Sequence, residues 1–182
     1  MRCTAAHDDR PKLTPFAPPE GSSGRLGAAR RWPEMKFPLH IPFVEALGFE
    51  LHRFEAGQAE LRVDLDQAHL NAWEVAHGGV LMTMLDVTMA HAARSIHDHL
   101  PDFGPGVVTV EMKTSFMRPA EGPLRCNASL LHRSSTMAFC EGSVVDADGH
   151  LCAHATATFK YLRKLPTKRR GVKALHSTSK ES

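Results

Sequence analysis

Apolar and polar residues alternate strictly from residue 58 to 65, with Ala59, Leu61, Val63 and Leu65 set against Glu60, Arg62 and Asp64. A period of two predicts a strand with one buried face. Phe49–Glu55 precedes it across Ala56-Gly57 and predicts its hairpin partner. Upstream, Pro42–Leu47 reads as a short helix stopped at Gly48. A polar loop, Asp66 to Trp73, follows the second strand. The period then changes. From His77 to His99, Leu81, Leu85, Thr88, Ala92 and Ile96 recur at helical spacing, and Met82, Met89 and Ala93 widen the apolar face. This predicts one helix of about 30 Å. Its apolar surface covers most of the circumference, so a sheet must curl around it or a second subunit must cover it. Four strands complete the pattern, at Val107–Met117, Pro123–His132, Met137–Asp146 and His150–Leu162. Asp148-Gly149 marks a hairpin turn, and Arg133-Ser134-Ser135 marks another. Long sequential strands pair antiparallel, so the expected class is α+β.

The ordered pattern occupies 37–162. Residues 1–36 are rich in Pro, Gly, Ser and Arg, a composition that supports no core, and 163–182 read the same way. A loose arm, one domain and a basic tail are therefore expected within the 182 residues. The net charge of +2 is unevenly spread. The arm has seven basic and four acidic residues, the tail seven and one, and the middle eight and fifteen. A basic tail with Lys168-Arg169-Arg170 suits an anionic surface, but the acidic middle argues against nucleic-acid binding as the main role. No apolar run is long enough for a membrane span, and the start lacks the apolar stretch of a secretory signal. Cys3, Cys126, Cys140 and Cys152 form no C-x-x-C pair. Three fall in predicted strands as small buried hydrophobes, which points to a reducing, cytoplasmic setting without zinc or a redox pair.

Between Val80 and Ala90 the one ionisable residue is Asp86. A desolvated, unpaired carboxylate there costs several kcal/mol, met by hydrogen bonds, a cation or a raised pKa. Such groups are candidate acids and bases, or else plain helix residues that face water or cap a loop. His77-Gly78-Gly79 opens the same helix. Glycines let a ligand approach the backbone, and free N–H groups at a helix start favour an oxyanion; the bland alternative is punctuation before a helix. His77 is either a base or a ring that orients the Gly78 peptide, and Gly79 is a supporting candidate. His91, His97 and His99 lack ligand spacing and are read as solvent-facing, so no metal and no cofactor are expected.

Asn71, Gly78 and Asp86 are spaced by seven and eight residues within Asn71-Ala-Trp-Glu-Val-Ala-His77-Gly78-Gly79-Val-Leu-Met-Thr-Met-Leu-Asp86. Together with Val108–Met112 and Ser115-Phe116-Met117-Arg118-Pro119-Ala120, this resembles the PaaI-like branch of the hot-dog thioesterases over about residues 38–162. The resemblance implies a hot-dog fold, a long central helix wrapped by a curved antiparallel sheet. It implies acyl-CoA hydrolysis, with the Gly78 N–H polarising the thioester carbonyl. Asp86 would serve as general base or nucleophile, Asn71 would hold the thioester or water, and Thr109 would orient the water or carboxylate. It also implies a homodimer or dimer of dimers, with Asn71 and Gly78 from one subunit and the carboxylate and hydroxyl from the other. Coenzyme A phosphates would meet the turn Arg133, Ser134, Ser135 and Thr136, where Ser replaces the usual Gly and basic residue, with Arg118 as a second cation. The alternatives are a non-catalytic acyl-CoA binder and an acyl-thioester dehydratase or hydratase, whose His-carboxylate arrangement differs from the spacing seen here.

Overall fold

The computed structural model describes residues 37, 40–97, 99–100 and 104–162; the expected arm, 1–36, and tail, 163–182, lie outside them. Helix α1 is Pro42–Ala46. Strands β1 (Glu50–Glu55) and β2 (Gln58–Asp64) form the expected hairpin, turning through the positive-φ pair Ala56 and Gly57. Helix α2 runs Gly78–Arg94, about 25 Å. Strands β3 (Gly106–Phe116), β4 (Pro123–Arg133), β5 (Met137–Val145) and β6 (Leu151–Leu162) follow.

One antiparallel sheet has the order β1-β2-β4-β5-β6-β3. Helix α2 contacts all six strands, which is the α+β hot-dog arrangement. The core lies between them. Leu81, Met84, Leu85, Met89 and Ala92 of α2 meet the inward row of each strand, including Leu61, Cys126, Cys140, Val144, Ala155 and Phe159. Small residues bring helix and sheet close. A Cβ on Gly142 would stand 3.1 Å from Met89 Cγ and 3.3 Å from Leu85 Cδ2. The three described cysteines are buried free thiols, and burial pushes Cys126 and Cys140 up to about 12.

Three features differ from expectation. First, β3 pairs with β6 and not with its sequence neighbour β4. Strand β4 uses its two edges for β2 and β5, and the β3–β4 link is pinned across the sheet end by Met117 and Arg118 N–H groups donating to Cys152 O at 2.8 and 3.2 Å. Second, α2 stops at Arg94 and tightens into a 3-10 turn, Ser95–His97, and the polar loop contains another, Gln67–His69. Ser95 Oγ accepts the Gly57 N–H at 2.9 Å and donates to Ala92 O at 3.0 Å, so the helix end is tied to the β1–β2 turn. Third, His91 is not solvent-facing. It is buried, its Nδ1 lies 2.7 Å from Val87 O, and Phe37 and Phe54 pack edge-on against it. Burial lowers its pKa to about 4, so the imidazole is neutral.

Candidate active site

The sheet leaves one stripe of α2 uncovered. Gly78, Met82 and Asp86 follow one another at intervals of four residues and are half-buried or exposed, while Leu81, Met84, Leu85, Thr88 and Met89 around them are buried. Asp86 Oδ1 accepts a hydrogen bond from Thr109 Oγ1 at 2.7 Å. The contact depends on a β-bulge. Thr109 stands opposite the inward Phe159, yet Glu111 stands opposite the outward Thr158, so the register shifts by one residue at Val110. The extra residue turns Thr109 toward the helix while keeping the Glu111 carboxylate out of the core. Within the described residues the second Asp86 oxygen meets no donor.

Backbone hydrogen bonds anchor the start of α2. Ala76 N–H donates to Ala120 O at 2.9 Å, and His77 N–H donates to His69 O at 2.8 Å. His77 Nδ1 accepts the Gly79 N–H at 2.9 Å, so the ring acts as the helix N-cap and its proton resides on Nε2. The Gly78 N–H meets no acceptor among the described residues. The two glycines have different explanations. A Cβ on Gly79 would lie 3.0 Å from His77 Nδ1, so the cap itself favours glycine there. A Cβ on Gly78 would reach the Phe116 ring at 3.5 Å, an ordinary contact, and its φ is not in the left-handed region. The chain's own packing therefore gives no reason for glycine at 78.

Asn71 lies in a tight loop. Its Oδ1 accepts the Trp73 N–H at 2.8 Å, its N–H donates to Val75 O at 2.9 Å, and its carbonyl accepts the Glu74 N–H at 3.0 Å. With the oxygen committed to the loop, the amide N–H groups are what Asn71 can offer a ligand. Glu74 closes the loop at a φ of 60°, a left-handed conformation strained for a side chain of its type, and Trp73 stands 82% exposed. Trp73 and Phe116 are site neighbours that the sequence pattern did not single out. The signal available was period two along β3, which puts Phe116 on the same inward row as Met112 and Thr114.

The candidates thus fall into separate places on one chain. Asp86 and Thr109 meet; Gly78 lies on the same helix as Asp86 but about 12 Å along its axis. A reacting carbon in direct contact with a group lies about 3–3.5 Å from it, which is short against that offset. The Arg133–Thr136 turn lies at the other end of α2. Burial first, and then the Arg133 charge, lower the pKa of His97, which sits in the turn after the helix. Ser134 Oγ accepts the Thr136 and Met137 N–H groups at 3.3 and 3.0 Å and so builds that turn, while Arg133, Ser135 and Thr136 are exposed. Arg118 is exposed in the β3–β4 link and lines a cleft of about 390 Å³ with Glu121, Asp146 and His150. Ligand-type atoms of Asp146, Asp148 and His150 lie within 4.8 Å of one another. There the Asp146 carboxylate accepts the Asp148 and His150 N–H groups at 3.0 and 2.8 Å and holds the β5–β6 turn.

Chemically, a carboxylate steadied by a hydroxyl can take a proton or attack a carbonyl. An acceptor-free N–H at a helix start can stabilise an oxyanion. No helix among the described residues is long and apolar enough to cross a membrane. A family model described as Thioesterase superfamily matches residues 74–153. The chain is 30% identical over 118 residues to "Putative esterase SSO2140" of Saccharolobus solfataricus, covering 64% of this chain and 81% of that protein. It is 28% identical over 135 residues to the medium/long-chain acyl-CoA thioesterase YigI of Salmonella typhimurium, covering 68% and 87%. Among solved structures, the phenylacetic acid degradation protein PaaI of Thermus thermophilus, determined as a mutant, is similar with a TM-score of 0.59 and 27% identity, covering 67% of this chain and all (100%) of that one.

Proposed function

The chain belongs to the thioesterase superfamily, and on that footing we propose that it hydrolyses acyl-CoA thioesters at a site shared by two copies of the chain. The observation that carries this is the Thr109–Asp86 hydrogen bond of 2.7 Å on an uncovered helix face, two turns from the acceptor-free Gly78 N–H. The names of relatives such as YigI support the acyl-CoA class. The 12 Å offset between Gly78 and Asp86 supports sharing, because a second, antiparallel α2 brings the partner's Asp86 opposite Gly78. The surface such a copy would cover is apolar. Val108, Val110 and Phe116 on the edge strand β3 are 42%, 58% and 52% exposed, and Met82 on α2 is 39% exposed.

In this site the Gly78 N–H, at the positive end of the α2 dipole, donates to the thioester carbonyl oxygen. Asn71 offers its amide N–H to the same thioester or to water. The partner's Thr109 holds the partner's Asp86. That carboxylate either takes a proton from water, whose oxygen attacks the carbonyl carbon, or attacks the carbon itself and is released by water. In both routes the C–S bond breaks, coenzyme A leaves as the thiolate and collects a proton, and the acyl group leaves as the acid. His77 serves the helix cap.

The test is release of free thiol from a panel of acyl-CoAs. Wild-type protein should turn over at least one of them, and Asp86→Asn should lose about 10³-fold or more in kcat while still binding ligand. Equal turnover by Asp86→Asn would remove Asp86 from the mechanism. Binding without thiol release from any thioester by the wild type would make the protein an acyl-CoA binder.

A further inference from the structure

The spacing that defines the site also fixes what lies between its two copies. Isologous pairing is reciprocal: if Gly78 faces the partner's Asp86, then Asp86 faces the partner's Gly78. Antiparallel helices related by a two-fold axis must then cross midway between these positions, at residue 82. Met82 occupies that position on the uncovered stripe, 39% exposed, with Gly78 and Asp86 one turn to either side. Helices crossing there diverge away from the axis, which leaves room for a ligand on each side.

The same arrangement orients the substrate. From the thioester, one direction leads outward past the Asn71–Ala76 loop, toward the partner's helix C-terminus and the partner's Arg133–Thr136 turn. The other leads inward to the axis. Coenzyme A carries several phosphates, whose desolvation is costly, so it takes the outward path beside exposed cations. The acyl group takes the inward path, and the first side chains it meets are Met82 and the partner's Met82. We infer that residue 82 packs against its own counterpart on the two-fold axis and forms a common floor to both acyl pockets, setting the acyl length that each site accepts. This inference rests on the shared-site hydrolase proposed above. Methionine suits the position because an unbranched thioether repacks around chains of different length.

Two readouts test this on the full chain. The first is geometric and needs no turnover. In a Cys3→Ser background the remaining native thiols are buried, so Met82→Cys supplies the accessible thiol. Packed helix axes lie about 8–10 Å apart and each Cα stands about 2.3 Å off its axis, so Cα atoms facing each other at the crossing lie roughly 4–6 Å apart, within reach of a disulfide, and mild oxidation or a short bis-maleimide is the reagent. Most of the chain should become covalent dimer, against little for Asp148→Cys on the exposed β5–β6 turn. The second is specificity. Met82→Ala should raise the ratio of kcat/KM for dodecanoyl-CoA over hexanoyl-CoA about tenfold, and Met82→Phe should lower it by a similar factor, each with the thermal unfolding midpoint retained. Failure to cross-link in a protein that hydrolyses acyl-CoA and needs Asp86 would overturn the inference and leave the hydrolase standing. Equal loss across all chain lengths would overturn it as well. Cross-linking without hydrolysis by the wild type would instead defeat the function proposed above and, with it, the acyl floor.

Discussion

Glycine in the first turn of a helix gives up backbone entropy that alanine keeps, and at position 78 the surrounding chain asks for no such sacrifice. Replacing Gly78 by alanine should raise stability by about 0.5–1 kcal/mol, since the new Cβ meets Phe116 at a normal distance. If the space beside the N–H belongs to a thioester, the same change should cut kcat/KM by about 10²-fold through a displaced carbonyl. Urea unfolding and a thioester assay on one sample measure both signs. A Gly78→Ala protein that is stabilised and fully active would show that the thioester does not occupy the space beside residue 78. At this scale much of the candidate site was legible in the sequence. Asp86 stood out as the lone ionisable residue between Val80 and Ala90, and Thr109 followed from the family resemblance. Phe116 against Gly78 did not, because that contact joins residues far apart in the chain and no local pattern encodes it.

At the scale of elements, strand positions followed from period two within a residue or two, while the long helix followed from period 3.6 except at its C-terminal end, which stops at Arg94 five residues short. Pairing did not, because hydrophobic alternation says which face is buried and nothing about which edge is taken. Strand β3 therefore had no local sign that it would pass β4 and join β6, nor that a bulge at Val110 would aim Thr109 inward. His91 misled for a related reason. It lies near a helix end, where histidine is usually solvated, but Phe37 and Phe54 from outside the helix cover it. Its burial has a measurable consequence. The folded pKa is about 4, below the usual 6.5, so the unfolded chain takes up a proton first as the pH falls. The stabilisation is complete above about pH 6.5 and is lost toward pH 4, at about 1.4 kcal/mol per pH unit at most. His91→Leu should flatten the difference in urea midpoint between pH 7.5 and pH 5. An unchanged slope would mean that His91 is protonated in the fold.

For the whole molecule, the central matter is whether the site lies within one chain or between two. The sequence supplied the residue types and their eight-residue spacing on one helix, and the structure adds that the stripe carrying them is left uncovered by the sheet. The proposed shared site rests on the separation of Gly78 and Asp86, about 12 Å along one helix, which is long for two groups acting on one carbon. Two variants that are each inactive should then rescue one another. In Asp86→Asn every site lacks its carboxylate, and in Asn71→Ala every site lacks its amide. A dimer with one chain of each kind has one site carrying both defects and one carrying neither. Unfolding an equal mixture and refolding it together gives half mixed dimers at random assortment, each with one working site of two, so activity should return to about a quarter of wild type. Mixing without refolding should give less, and more slowly, as subunits exchange. A site contained in one chain predicts no recovery under any mixing, because each chain would carry its own defect into its own site. Recovery near a quarter, with neither parent active alone, is an outcome that only a shared site produces.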